Sequence, residues 1–393
     1  MNKVAVLGGG ASGIIAAITA ARRGSEVAIL EKNSRIGKKL LMTGNGRCNI
    51  TNMNLKAENY NSAFVCDALN TFSAKDTIEF FKEIGLLTYE EQEGRVYPVS
   101  NQASAVLEVL RLEIERQNVT VVCDFDITKI EKYSDGFFIY SKNGEKIAAN
   151  RIIVALGGKS AQNTGSDGSG YRLLTDLGHS VKTPDKALVQ LKTDKSIKGV
   201  RAYAKASVNG IEEKGEVQFT GYGLSGIPIL NLSRYAKSGD VLTLDMMPDY
   251  TEDELFEYLQ KRHNQNLETY LIGMLNKPLG QMLLKECDIG KLSRKSESLE
   301  DFEIKKIAKK LKGWSFIVTG KMGWDNAQVT MGGIELSEID SKTMESKIVK
   351  NCYITGEMMD IDAECGGFNL QWAWSSGFAA GKNAAKTEES DEV

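Results

Sequence analysis

Residues 4–7 (VAVL) and 27–30 (VAIL) are short unbroken apolar runs, and residues 14–23 between them are small and mostly apolar. Apolar runs of this length predict buried strands, and the small residues predict a helix seated closely on their sheet. The opening therefore reads as strand, helix, strand. Apolar residues recur at helical spacing within 62–87, most clearly in AKDTIEFFKEIG, and again across 102–117, where Val106, Leu107 and Leu110 share the inward face. Residues 119–154 alternate as short strands around the turn KNGEK and end in IIVALGG.

From about Pro184 the character changes. Strand-like alternation across 188–245, as in KASVNGIEEKGEVQFTG, predicts a small antiparallel barrel. Residues 251–312 read as polar helices, and Thr251 with Glu254 has the spacing of a capping box. Residues 314–333 are expected to return the chain to its first domain. The tail KTEESDEV reads as disordered. The pattern thus predicts an α/β protein: a Rossmann-like domain interrupted by an insert that holds a small antiparallel β-barrel and a helical subdomain.

Composition narrows the chemistry. The 393 residues are 42% hydrophobic and 26% charged with a net charge of −3, so no global field favours nucleic acid or an anionic membrane. The basic run KKIAKKLKG (305–313) is flanked by acids and reads as a solvated helix face. No run approaches the roughly 18 apolar residues of a membrane span, and the N-terminal strand lacks a cleavage-site pattern. Cytoplasmic location follows as the default. The six cysteines (48, 66, 123, 287, 352 and 365) form no CxxC pair and are expected to be free, mostly buried thiols. With only His179 and His263 available, a histidine metal site or a Ser-His-Asp triad has almost no material, and no metal is expected.

Gly8-Gly9-Gly10-Ala11-Ser12-Gly13 fits G-x-G-x-x-G between the first strand and the helix. Gly8 permits the tight turn, Gly10 lets the backbone approach a pyrophosphate, and Gly13 allows close helix–strand contact. The helix N-terminus offers unpaired N–H groups to the phosphates. Glu31 ends the second strand at the spacing of a ribose-binding acid, which favours FAD or NAD over NADP. Two further segments are rich in small residues: 37–52 (GKKLLMTGNGRCNITN) and 354–381, where a double glycine opens a helix. A helix opened this way places a dipole that stabilises an anionic reduced flavin. TGSDGSG (164–170) invites a Ca²⁺-loop or second-nucleotide reading, but the helix after it favours a structural loop. Residues 150–330 hold no second dinucleotide fingerprint, so nicotinamide, if used, docks transiently.

These stretches, with GRVYPVSNQASAV (94–106), FTGYGLSGIPIL (219–230), AQVTMGGIELSEIDSKTMESK (327–347) and GEMMDIDAECGGFNLQWAWSSGFAAG (356–381), resemble the bacterial BaiN-type NAD(P)/FAD-dependent oxidoreductases, a family that includes aminoacetone oxidases. The resemblance implies an FAD-binding domain of the glutathione-reductase class, split by the insert. Its leading segment would span 1–187, the barrel 188–248 and the helical insert 249–313, and the return with the closing segment of the FAD domain would span 314–393. The resemblance places phosphate contacts at Gly8, Gly10, Ala11, Ser12 and Gly13, and ribose contacts at Glu31 and Lys32. Gly37, Lys38, Lys39 and Leu40, then Gly44, Asn45, Gly46, Arg47, Cys48 and Asn49, would run along the ribityl chain and flavin. Gly356, Glu357, Asp360, Gly366, Gly367, Phe368, Asn369, Leu370 and Gln371 would close the isoalloxazine side. Ala155, Gly157 and Gly158 would abut the cofactor, with Ile127 beside the adenine.

Catalytic residues are not defined by the sequence. Arg47 reads as a cation near the flavin or a clamp on loop carbonyls. Cys48 reads as an apolar filler or a redox thiol, with Cys365 its one potential partner. Tyr222 reads as a proton donor, a stacking face or a core residue, and stands beside Gly221, where many relatives carry His. The resemblance implies an FAD-dependent oxidoreductase on a small organic substrate. Reduction of an enone-type C=C with NAD(P)H leads, and amine oxidation with O2 is the alternative. A tRNA-modifying or non-catalytic flavoprotein is more remote. No nucleic acid or membrane partner is expected, and the oligomeric state is open.

Overall fold

In the computed structural model, which describes residues 2–385, the strand Lys3–Leu7 lies at the centre of a five-stranded sheet. The order is Cys352–Ile354, Arg151–Val154, Lys3–Leu7, Glu26–Leu30, Thr120–Val122, and all pairs are parallel. Val4 to Leu7 are all buried, as a central parallel strand covered on both faces requires. The tail 386–393, expected to be disordered, lies outside the described residues.

The helix Ala11–Ala21 follows the first strand, and nine of its residues are buried. The helix Phe368–Ala384 packs directly on it through small residues. A Cβ at Gly377 would lie 2.3 Å from the Ser12 carbonyl oxygen, and one at Gly381 would lie 2.4 Å from that of Ala16. Contact thus advances four residues on each helix together, so the two run parallel. Helices Cys66–Thr71, Ala74–Glu83 and Ala103–Arg116 occupy the expected ranges, with Val106, Leu107 and Leu110 buried. Ile127–Tyr133, Gly136–Ser141 and Lys146–Ala149 form the expected meander.

The chain divides into two compact units, 1–185 with 328–393, and 186–327. The second unit holds a closed six-stranded barrel, ordered Leu191–Thr193, Gly223–Ser225, Ile211–Thr220, Val200–Val208, Val241–Asp245, Trp314–Lys321. Its last stave buries Trp314, Phe316 and Val318 on alternate positions. The return to the first unit therefore falls at Gln328 and not at 314, because this alternation closes the barrel. Helices Glu252–Gln260, Lys277–Glu286 and Asp301–Lys312 pack into the same core as the barrel strands. The Thr251–Glu254 capping box forms as expected, with the Thr251 N–H donating to Glu254 at 2.8 Å. Among the described residues, no helix is long and apolar enough to cross a membrane, and no cluster of three or more His, Cys, Asp or Glu could hold a metal.

Candidate functional site

The fingerprint glycines separate by what surrounds them. A Cβ at Gly8 would meet the Ala155 carbonyl oxygen at 2.4 Å, and one at Gly13 would meet the Gly8 oxygen at 2.0 Å. Both are needed for internal packing. Gly10 has no atom within 4 Å of its Cβ position, so its open side faces away from protein. Gly10 also caps the helix without a side-chain hydrogen bond, and no acid occupies the first turn. The first-turn N–H groups of Ala11, Ser12 and Gly13 have no intrahelical acceptor by construction, and with the dipole they form an anion site. The buried Glu31 carboxylate accepts the Gly9 N–H at 2.8 Å and, from Asn33, the backbone N–H at 2.8 Å and the amide at 2.6 Å. Glu31 thus fixes the glycine turn from below. The Lys32 ammonium pairs with Asp167 at 2.8 Å, and the Thr164 carbonyl accepts from Asn33 at 3.1 Å. TGSDGSG therefore packs against the residues after Glu31, as a structural loop.

The segment 37–49 is a strained loop. Gly37 takes a φ of +77°, and its Cβ position runs into Leu107 at 2.3 Å; Leu40 is buried. The Lys38 ammonium donates to the Asn33 side chain at 3.1 Å. Gly44, Asn45, Gly46 and Cys48 all have positive φ. Arg47 holds this loop to side chains and not to loop carbonyls: it donates to Asn101 at 2.9 Å, Tyr89 at 2.7 Å and Glu91 at 2.9 Å, with its guanidinium 4.0 Å above the Tyr97 ring. Its pKa is raised, chiefly by the hydrogen bond to Glu91. The Cys48 thiol is fully buried and pushed up to about 12 by desolvation. That is the environment of a filler, not of a reactive thiol. Asn49 is buried beside Gly367. Its Oδ1 lies 2.9 Å from the Gly367 Cβ position and has no hydrogen-bond partner among the described residues.

The C-terminal segment meets this loop. Glu357 is the centre of a polar knot: its carboxylate pairs with Lys39 at 2.5 Å and accepts from the Thr330 N–H at 2.9 Å, the Thr330 hydroxyl at 2.7 Å and Ser160. Lys39 also donates to Ser160 at 2.6 Å. Asp360 pairs with Lys182 at 2.8 Å and accepts the Gly332 N–H at 3.0 Å; the pairing raises the Lys182 pKa. Ser160, Thr330 and Lys182 escape sequence reasoning, because no local spacing marks them. Gly157 and Gly158 are closed over by Ser166 and Thr330, at 2.9 and 2.4 Å from their Cβ positions, and Ala155 is buried beside them. Ile127 is buried at the start of the meander.

Several expected cofactor contacts have their polar groups engaged within the protein. Gly356 donates its N–H to Ser376 at 3.0 Å and accepts from the Trp372 indole at 3.1 Å. The Gln371 side chain accepts from Thr51 at 2.5 Å and donates to Phe72 O at 3.1 Å and Ser375 at 2.8 Å, while its N–H bonds Gly367. These bonds seat the last helix. The Asn369 side chain likewise clamps Ala363, at 3.0 Å through both N–H and carbonyl, and the Phe368 carbonyl accepts from Tyr60 at 2.8 Å. What remains toward a ligand is the first-turn N–H groups of Phe368, Asn369 and Leu370 behind Gly366 and Gly367, which cap the helix with no side-chain bond. Tyr222 belongs to the second unit and lies 36% exposed at a hairpin turn, outside that unit's core.

The single buried histidine forms a constellation of its own. His179 Nδ1 meets Glu338 at 3.0 Å and Nε2 meets Ser346 at 2.9 Å. Ser346 is buried and also accepts the N–H groups of Ile348 and Val349, at 3.1 and 2.9 Å. With both lone pairs occupied it is a brace, not a nucleophile.

The residues fit a flavin dinucleotide. Two parallel helices present uncapped N-termini, and Phe368 stands eight residues ahead of the level of Ala11, about 12 Å at the α-helical rise. A ribityl chain spans a gap of that order. The first terminus could receive a phosphate group, and the second, beside the unpartnered Asn49 oxygen, could face a flavin ring.

The HI0933-like protein Rossmann domain matches residues 2–383. The chain belongs to the HI0933-like Rossmann family. As a member it is an FAD-dependent oxidoreductase. It is 38% identical to a 3-dehydro-bile acid delta(4,6)-reductase of Clostridium scindens, over 98% of this chain and 100% of the relative. It is 29% identical to a ribosomal RNA dihydrouridine synthase of Escherichia coli, over 97% and 98%. A solved 3-ketosteroid delta1-dehydrogenase from Sterolibacterium denitrificans shares the fold with a TM-score of 0.52 at 14% identity, covering 98% of this family member and 100% of that chain.

Proposed function

We propose that the protein reduces a carbon–carbon double bond conjugated to a carbonyl group, with electrons from transiently bound NADH or NADPH. The observation that supports this reading is the full-length match to two relatives whose names share one bond change. A delta(4,6)-3-dehydro steroid carries C=C conjugated to C=O. Making dihydrouridine from uridine saturates the C5=C6 bond, which is conjugated to the C4 carbonyl. A free small molecule of enone type is the first expectation, from the 38% relative. A uracil ring in RNA is the second, and the exclusion of nucleic acid drawn from net charge does not stand beside such a relative.

FAD, when bound, supplies the hydride chemistry at such a bond. The protein's own residues bind and orient. The N-terminus of Ala11–Ala21 and the open face at Gly10 take the phosphates. Glu31, already holding the turn, would receive ribose hydroxyls on its remaining lone pair. The N-terminus of Phe368–Ala384 would stabilise negative charge on a bound flavin ring. The Lys39–Glu357 knot fixes the two loops on either side. Neither Cys48, protonated and buried, nor Arg47, clamped by Glu91, is suited to give the α-carbon its proton.

Anaerobic titration of the purified protein tests the reading. NADH or NADPH should bleach the flavin band, and a steroidal or cyclic enone should restore it. A band unmoved by either nicotinamide but bleached by an amine would favour the oxidase chemistry. A colourless protein that takes up no FAD would overturn the cofactor itself.

A further inference from the structure

The basic run 305–313 has a second property that its sequence conceals. On helix Asp301–Lys312, Ile304, Ile307, Ala308 and Leu311 are buried in the core of the second unit. The opposite stripe, at helical spacing, is Phe302, Lys305, Lys306 and Lys309, all exposed, with Phe302 at 59%. Lys310 shares the carboxylate of Glu286 with Lys195, at 3.4 and 2.7 Å, and Lys312 pairs with Asp245 at 2.7 Å. Lys305, Lys306 and Lys309 make no ion pair among the described residues.

The barrel of the same unit carries cations that are paired. Its outward Arg201, Lys205 and Lys214 are each matched by a carboxylate: Glu216 at 3.1 Å, Glu212 at 3.1 Å and Asp249 at 2.8 Å. Three lysines without a carboxylate partner thus share one helix face with a large exposed aromatic ring, and Lys305 also lies 5.3 Å from the Phe256 ring. Helix C-termini favour cations, and Lys309, Lys310 and Lys312 stand in the last turn. Lys305 and Lys306 stand a turn earlier.

We propose that this stripe docks single-stranded RNA, with phosphates on Lys305, Lys306 and Lys309 and a base stacked on Phe302. Backbone neutralisation beside a stacking platform is how proteins hold single strands. An anionic bilayer is the poorer occupant. Interfacial helices insert an apolar face, and the apolar face of this helix is buried in its own core. The inference rests on the uracil reading above only for the identity of the base reduced; the docking itself is independent of it.

The test uses the full FAD-loaded chain and unmodified ribosomal RNA in filter retention across salt, with anionic lipid vesicles in parallel. Wild type should retain RNA, and affinity should fall steeply with salt. The variant Lys305→Glu/Lys306→Glu/Lys309→Glu should bind at least tenfold more weakly, with a log–log salt slope shallower by about two. FAD content and turnover of a free enone should not change. Phe302→Ala should weaken RNA about five- to tenfold with the slope unchanged. Lys205→Gln/Lys214→Gln on the barrel serves as the control, and Lys306→Gln/Lys309→Gln replaces the reversal variant should that variant fold poorly. RNA retention equal in the stripe and barrel variants, absence of salt-dependent retention in wild type, or capture by vesicles in preference to RNA would each overturn the proposal. Enone turnover that persists without RNA retention would remove this surface and leave the proposed reaction standing.

Discussion

The α-carbon of Gly377 sits against the carbonyl oxygen of Ser12, so close that a methyl group on it would lie 2.3 Å from that oxygen. With Gly381, which stands as close to Ala16, this glycine therefore sets how near the last helix comes to the first. Since the two helices run parallel, it also fixes the lead of one N-terminus over the other. The spacing of the two helix N-termini, and with it the length of ligand they could accept together, follows from a contact between the first turn of one helix and the middle of the other.

Gly377→Ala should part the helices and cost about 1–3 kcal/mol, the usual range for overpacking a core. Gly10→Ala should behave oppositely, since its Cβ position is open. Apo stability should be nearly unchanged while FAD affinity falls at least tenfold, because the methyl would enter the space the cofactor needs. Denaturant melts of apo protein, set beside FAD titrations, separate the two. Equal effects of both substitutions on the apo protein would show that Gly10 is a packing glycine like its neighbours.

Glu357 collects donors from three segments: Lys39, Ser160, and Thr330 through both backbone and hydroxyl. Glu357→Ala would strand all of them and should cost about 2–3 kcal/mol, less than a fully buried pair because Lys39 keeps some exposure. Lys39→Met leaves the carboxylate its other donors and should cost about 1 kcal/mol. Urea unfolding measures both. A larger loss for the lysine variant would mean that the knot is organised around the cation.

What the sequence makes legible is local. The dinucleotide fingerprint, the capping box at Thr251 and the helices carrying Val106 and Phe80 are each set by residues a few positions apart. Partners far apart in the chain leave no trace. Nothing near Arg47 names Tyr89, Glu91 or Asn101, and nothing near Glu357 names Lys39 or Thr330. The strand Trp314–Lys321 shows its alternation, but alternation does not say which sheet a strand completes, so a barrel stave reads as the return to the first domain. Thr120–Val122 reads as one strand of the meander for the same reason, although its partner is Glu26–Leu30. Gly356 and Gln371 look like cofactor contacts from their neighbours. Only the fold shows their hydrogen bonds directed inward.

Arg47 should act as a fastener and not as a reagent. Its fork and its stacking over Tyr97 hold a loop in which Asn45 and Cys48 are left-handed, at φ of 55° and 61°. Lysine offers a point charge without the fork or the plane. Arg47→Lys should therefore speed amide hydrogen exchange across 43–48 about as much as Arg47→Ala does. An exchange rate restored to wild type by lysine would show that charge alone is what the loop requires.

The buried thiols give a prediction with a definite sign. Desolvation raises Cys48 to about 12, Cys352 to about 12 and Cys287 to about 11 in the folded protein, above an ordinary value of 9.0. Each fold-raised thiol holds its proton more tightly folded than unfolded. The stability this contributes is complete below about pH 9 and is lost as pH rises toward 11–12. Alkaline unfolding should therefore set in over that window and move to higher pH in Cys48→Ala, Cys352→Ala and Cys287→Ala together, once their lower neutral stability is allowed for. At pH 8 the same three thiols should resist alkylation in the native state, while the partly exposed Cys66, Cys123 and Cys365 react. Mass spectrometry of the alkylated peptides reads the order directly. Fast labelling of Cys48 in the native protein would return it to the list of reactive groups beside the cofactor.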